Sequence, residues 1–323
     1  MSQVLVTGAN GFVGRALCRV LSGAGFTVTG LVRHEGLLES GVEEWIEPSV
    51  DFAGIEDQWP AALAAHCVVH LAARVHVMRE VSVDPEAQFR STNVEGALRV
   101  ARAAWNHGVQ RFVFVSSIKA IAEADNGRAL REDDAPAPED AYGRSKLAAE
   151  EALLRYGRES GLEVVIVRPP LVYGPEVRAN FLRLMDGIWR GVPLPLGAAS
   201  GRRSLVYVGN LADALMRCAI DPRAVAQRFH VADSDAPTVA ELCRALGRHL
   251  GRPARLLPIP ESMLRLAGRV TGRSAQIDRL VGALQVDTSR IRTVLGWHPP
   301  YSCDEGLAAT ARWYRSTRRG GEC

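Results

Sequence analysis

Six cysteines in 323 residues are too few and too scattered for a disulfide framework. Cys18, Cys67, Cys218, Cys243, Cys303 and Cys323 include no CxxC pair. They read as reduced thiols of a cytoplasmic protein, mostly small core residues. An excess of one charge is lacking too. Lys and Arg number 39 against 36 Asp and Glu, a formal net charge of +3. That is too small to imply a nucleic-acid or anionic-membrane partner. No long apolar run is present either. The most apolar window, residues 61–77, is broken by His66, His70, Arg74 and His76, which rules it out as a membrane span. Met1-Ser2-Gln3 leads straight into an apolar run without a charged n-region, so no signal peptide is expected. No internal repeat or low-complexity tract occurs. The basic tail Arg312, Arg315, Arg318 and Arg319 reads as a solvated helix end, where cations suit the macrodipole.

What is present is ordinary soluble composition, with 47% hydrophobic and 23% charged residues. The length suits one large α/β domain or two smaller ones. Val4-Leu5-Val6 is a short strand-like run. The glycine turn Gly8-x-x-Gly11-x-x-Gly14 follows, then a helical pattern through Ala16, Leu17, Val20 and Leu21, then a second strand over 26–32. This strand, glycine turn, helix and strand order is the context a dinucleotide-binding turn requires, although the first glycine spacing differs from GxGxxG. Further strands are expected over 67–71, 111–115 and 164–167, with helices over 87–107 and from Tyr142 to about Gly161. Alternating β and α segments with Val- and Ile-rich strands predict a Rossmann-type doubly wound parallel sheet. After Pro170, Gly, Pro and Arg punctuate the chain more densely. Residues 1–170 are therefore expected to form the NAD(P)-binding domain and 171–323 a smaller substrate lobe. The segment 204–232, with a strand-like run at 205–208, is expected to return to the sheet. Short helices are predicted over 239–250 and 261–268.

The chemistry centres on Tyr142 and Lys146. Four residues apart on a helix, they share a face, with Cβ atoms roughly 5–6 Å apart. An ammonium so placed should lower the phenol pKa from about 10 and make a general acid/base. Such spacing also arises by chance on solvated helices, so the surrounding motifs decide. Ser116 and Ser117 end the predicted strand 111–115, where ligands of open α/β sheets bind.

Six motifs occur in order: the glycine turn, His70-Leu71-Ala72-Ala73, Asn93-Val94-Glu95-Gly96, Ser116-Ser117, Tyr142-x-x-x-Lys146, and Arg168-Pro169-Pro170-Leu171-Val172-Tyr173-Gly174-Pro175. Together they resemble the extended short-chain dehydrogenase/reductase family, in the branch of nucleotide-sugar epimerases, dehydratases and 4-ketosugar reductases. The resemblance covers nearly the whole chain. It implies that Tyr142 is the acid/base, that Lys146 binds the nicotinamide ribose, and that Ser117 orients the sugar oxygen. It implies cofactor contacts from Gly8, Gly11, Phe12, Val13, Gly14, Leu71, Ala72, Ala73 and Pro169. It places Asn93 near the nicotinamide, Asp51-Phe52 by the adenine and Arg74 at the pyrophosphate. For the nucleoside diphosphate it implies Asn180, Arg203 and, by a looser match, Arg279. A homodimer formed through the tyrosine helix and the 87–107 helix is expected in the same way.

Three departures narrow the expectation. Residues 31–34 read Leu-Val-Arg-His, without the acid that holds an NAD ribose; Arg33 suits the 2′-phosphate of NADP. Ser117 is followed by Ile118-Lys119, not by the Asp-Glu pair of the family's dehydratases. Ile121 stands where a tyrosine is common. NADPH is the reducing pool, so the expectation is reduction of a UDP-linked 4-keto-(6-deoxy)-hexose or N-acetylhexosamine at carbon 4. The alternative is a UDP-sugar 4-epimerase using NAD. A non-catalytic NADP-sensing protein and a reductase of small ketones are remoter options.

Overall fold

The computed structural model describes residues 2–36, 38, 40–75, 84–272 and 274–319. The first half lays down β1 (Gln3–Thr7), α1 (Phe12–Gly23), β2 (Thr27–Val32), β3 (Glu43–Ile46), β4 (Ala65–His70), α2 (Pro85–Arg90), α3 (Ala97–Asn106), β5 (Arg111–Val115), α4 (Ala141–Ser160) and β6 (Glu163–Arg168). Successive strand residues turn to opposite faces, and both faces are buried. Val4 and Val6 join one core cluster and Leu5 the other; Val113 and Val115 are split from Phe112 and Phe114 in the same way, and Val165 and Val167 from Val164 and Ile166. Strands buried on both faces need helices on both sides, which parallel crossovers provide. Leu17 and Leu21 of α1 cover the first face; Ala97, Val100 and Ala101 of α3 and Ala149 and Leu153 of α4 cover the second.

The second half continues with β7 (Leu171–Tyr173), α5 (Ala179–Trp189), β8 (Leu205–Tyr207), α6 (Val208–Ile220), β9 (Arg228–His230), α7 (Val239–Leu250), α8 (Glu261–Val270), α9 (Ser274–Val281), α10 (Ser289–Leu295) and α11 (Cys303–Arg319). Seven parallel strands run in the order β3-β2-β1-β4-β5-β6-β9. The order reverses between β1 and β4, and the crevice outside their carboxyl ends is where open α/β sheets bind ligands. This is the Rossmann-type α/β fold. Tyr173, Phe181, Met185, Leu205, Leu246 and Tyr314 form a separate core beyond the sheet.

Two expectations change in detail. The run at 205–208 does not join the main sheet; β8 pairs with β7 in a two-stranded sheet, and the chain returns to the main sheet only at β9, beside β6. The helix expected over 87–107 is interrupted by a π-helical turn at Ser91–Gly96. That turn carries Asn93, and π turns are frequent at functional sites. Gly161, with φ of 93°, ends α4 in the left-handed region.

Candidate active site

The turn between β1 and α1 is closed by glycines for specific reasons. Gly8 has φ of 68°; its N–H donates to Leu31 O and its carbonyl accepts the Gly11 N–H, both at 2.9 Å. A Cβ on Gly14 would lie 2.2 Å from the Gly8 carbonyl, so only glycine lets α1 start this close to β1. Gly11 caps α1 without a side-chain acceptor for its first-turn N–H groups. A cavity of about 420 Å³ opens here, lined by Gly8, Asn10 and Gly11, by Leu31 to Arg33, by Ser49, Val50 and Phe52, by Leu71 to Val75, and by Thr92. Its acceptor-free helix start, its position at the sheet's switch point and its glycine floor fit an elongated dinucleotide, with the pyrophosphate at the helix N-terminus. Among the described residues its lining holds Arg33 and Arg74 and no carboxylate.

The chain after β4 is held by Thr7. Its Oγ1 accepts the N–H groups of Leu71 and Ala72, each at 3.2 Å, and its own hydroxyl proton therefore goes to His70 Nδ1 at 3.0 Å. Burial, with the nearby Lys146 charge, pushes His70 down to about 3, so the ring is neutral and suited to accept. Leu71, Ala72, Ala73 and Arg74 thus reach the cavity. Arg74 also stacks over Phe89 at 5.8 Å. Asn93 is buried and spent on bracing: it accepts the Arg74 N–H (2.8 Å) and donates to Arg74 O (3.1 Å) and Ser145 Oγ (2.9 Å). Phe52 lines the cavity, but Asp51 does not. The Asp51 carboxylate pairs with Arg99 at 2.6 Å. Phe12 and Val13, half-buried in the first turn of α1, pack against the core and do not line the cavity. Pro169 is buried and accepts the Ile118 N–H at 3.0 Å, which seats the Ser117 turn.

Ser117, Tyr142 and Lys146 come together at the end of β5. Tyr142 hydrogen-bonds Ser117, and Lys146 Nζ lies 5.9 Å from the Tyr142 ring. Lys146 is buried, donates to Val115 O at 2.8 Å and sits 4.6 Å from the Phe114 ring. Burial pulls its pKa down to about 7, against the opposing charge of Glu150. Tyr142 is pushed up to about 12 by burial and by the Asp140 carboxylate, partly offset by the Ser117 hydrogen bond. This runs against the expected lowering of the phenol: burial weakens the Lys146 charge and desolvates Tyr142. Ser116 is excluded from chemistry because its hydroxyl donates to buried Glu150, itself paired with Arg168 at 2.5 Å.

In the second lobe Asn180 is exposed at the start of α5, next to Phe181, which stacks on Tyr173 with centroids 5.5 Å apart. Arg203 is half-buried and donates to Gly282 O at 2.9 Å. Arg279 falls in α9, and its side chain lies outside the described residues. Ile121, where a tyrosine was the common residue, packs with Ile118, Leu130, Leu284 and Val286. Sequence reasoning missed Ser49, Val50 and Thr92, brought to the cavity by tertiary folding alone. It also missed Asp140, which an N-cap pattern before Tyr142 could have found: its Oδ1 accepts the Gly143 N–H at 2.8 Å.

Fold and site define a dinucleotide-binding enzyme of the extended short-chain dehydrogenase/reductase class. The model of the NAD dependent epimerase/dehydratase family matches residues 4–232, and the chain belongs to that family. A UDP-glucose 4-epimerase of Vibrio cholerae is 40% identical over 318 residues, spanning 96% of this chain and 94% of that protein. The fold is shared with the UDP-glucose 4-epimerase of Thermotoga maritima in complex with UDP-glucose, with a TM-score of 0.79, 24% identity and 98% and 99% of the two chains covered. The Thermus thermophilus UDP-glucose 4-epimerase in complex with NAD superposes with a TM-score of 0.78 at 24% identity, over 97% and 99% of the chains. Among the described residues no helix is long and apolar enough to cross a membrane.

Proposed function

We propose that this chain is a UDP-sugar 4-epimerase that keeps NAD bound through its cycle. The observation that carries this reading is the 40% identity to a UDP-glucose 4-epimerase along nearly the whole chain. It supports the epimerase better than Arg33 alone supports the reductase. Residues 1–170 would hold the cofactor, with Gly8, Gly11 and Gly14 at the pyrophosphate and Lys146 at the nicotinamide ribose; residues 171–323 would hold the UDP-sugar, with Asn180, Arg203 and Arg279 toward the diphosphate. Arg203 suits that role because a guanidinium fork matches phosphate oxygens. When bound, the nicotinamide supplies reversible hydride exchange with carbon 4 of the sugar. Tyr142 takes the proton from the carbon-4 hydroxyl and returns it to the ketone oxygen after the sugar has turned over. Ser117, already hydrogen-bonded to Tyr142, holds that oxygen in line. Lys146, once its ammonium is stabilised by ligand oxygens, supports the phenolate. A cytoplasmic homodimer joined through α2–α3 and α4 completes the proposal.

One observation favours a second reading. Arg33 lines the cavity where an acid would select NAD, and this suits NADPH-dependent reduction of a UDP-4-keto sugar. Denaturing the freshly purified protein and identifying the released dinucleotide separates the two. Retained NAD at close to one per chain is expected; protein that emerges empty and binds only NADPH would overturn the epimerase reading.

A further inference from the structure

Lys119 follows the Ser117 turn and is spent on α4. Its Nζ donates to Asp140 Oδ2 at 2.7 Å and to Glu123 Oε1 at 3.1 Å. Asp140 is the N-cap of α4, two residues before Tyr142. The junction is tight at backbone level too, since a Cβ on Gly143 would lie 2.4 Å from Lys119 O. One ammonium thus fastens the turn carrying Ser117 to the helix start carrying Tyr142, and it sits on the carboxylate whose charge opposes the phenolate.

We propose that Lys119 is a positioning residue: by holding the Asp140 carboxylate at the first turn of α4, it sets how readily Tyr142 gives up and recovers its proton. The charges around Tyr142 support this. Asp140 works against its phenolate, and Ser117 hydrogen-bonds it. Lys146 faces its ring from one turn further along α4. From α2 come the apolar Phe89, edge-on at 6.2 Å, and Glu86, which pairs with Arg144. The π turn contributes uncharged Asn93, which bonds Ser145. Glu123 reaches the cluster from beyond the Ser117 turn and shares the Lys119 ammonium with Asp140. Lys119 donates to both carboxylates, and Arg203 adds a second positive charge on the Glu123 side. Burial works against the charge of Asp140, yet the Lys119 and Gly143 hydrogen bonds hold its pKa below the usual aspartate range. The carboxylate is therefore ionised at neutral pH, and its effect on Tyr142 depends on how far Lys119 neutralises it.

This inference rests on Tyr142 being the acid/base, not on which UDP-sugar is turned over. Its test uses Lys119→Met, Lys119→Arg, Asp140→Asn and the Lys119→Met/Asp140→Asn double variant, all loaded with NAD. Asparagine can still cap α4, so Asp140→Asn removes the charge and keeps the hydrogen bond to Gly143. Two readouts are taken: tyrosinate absorbance against pH, each variant minus its Tyr142→Phe counterpart, and the pH profile of kcat. Lys119→Met is expected to move both titrations about one unit to higher pH, to lower kcat about tenfold at pH 7.5, and to leave KM within twofold. Lys119→Arg should restore both. Asp140→Asn should move the titrations to lower pH, and the double variant should follow Asp140→Asn. An unshifted titration in Lys119→Met, or an upward shift in Asp140→Asn, overturns the proposal. The absorbance reading survives even where no UDP-sugar is turned over, so failure of the function and failure of this inference are distinguishable.

Discussion

At the scale of single residues, burial outweighs proximity. Lys146 lies on the tyrosine's helix face as its spacing requires, but enclosure moves it to about 7 from an ordinary 10.5. The sign of the consequence follows. Between pH 7 and 10.5 the unfolded chain binds a proton that the folded chain does not, so stability from this group rises with pH across that window and is lowest at and below pH 7. Lys146→Met removes the buried charge. In cofactor-stripped protein its Tm should exceed that of the wild type by a few degrees at pH 7, and the gap should close toward pH 10, while turnover is lost. A variant less stable than the wild type at pH 7 would contradict this. Tyr142, Lys146 and Ser117 were legible from motif order and spacing. The direction of the tyrosine shift was not, because desolvation and the Asp140 charge depend on what folds around the ring. The Asp51–Arg99 ion pair was not legible for a similar reason: the two residues are 48 apart, and no local pattern announces the pair.

At the scale of elements, the strands that were legible are those with apolar residues facing both ways, such as Val4-Leu5-Val6 and Phe112-Val113-Phe114. Strand β3 was not read: of Glu43, Glu44, Trp45 and Ile46 only Trp45 is buried, so an edge strand left no periodic signal. Strand β8 was apolar enough to resemble a sheet strand, and only its pairing with β7 shows where it belongs. The helix over 87–107 was legible as a helix but not as an interrupted one, because the Asn93 bonds that accompany the π turn reach Arg74 and Ser145, 19 and 52 residues away. The glycine turn is the element most fully determined by local chemistry. Gly14→Ala places a methyl group 2.2 Å from Gly8 O and forces α1 away from β1. NAD affinity measured by calorimetry should fall at least a hundredfold in a chain that still folds. Binding within threefold of the wild type would place the pyrophosphate elsewhere.

At the scale of the whole molecule, a parallel sheet reversing between β1 and β4 puts the cavity and the Ser117–Tyr142–Lys146 group at the carboxyl ends of neighbouring strands. The second core, built on Tyr173 and Phe181, lies beyond the sheet, with Asn180 in α5 and Arg203 just before β8. Fold class was legible throughout because the βα alternation is a whole-chain pattern. Reaction type was not, since one acid/base group serves both epimerisation and reduction. The direct test follows UDP-glucose and UDP-N-acetylglucosamine with the purified protein by proton NMR, with absorbance at 340 nm recorded in parallel. The 4-epimer of at least one should appear, with no added cofactor and no net change in absorbance. Neither epimer forming, while a UDP-4-keto sugar oxidises NADPH mole for mole, would contradict the proposed function.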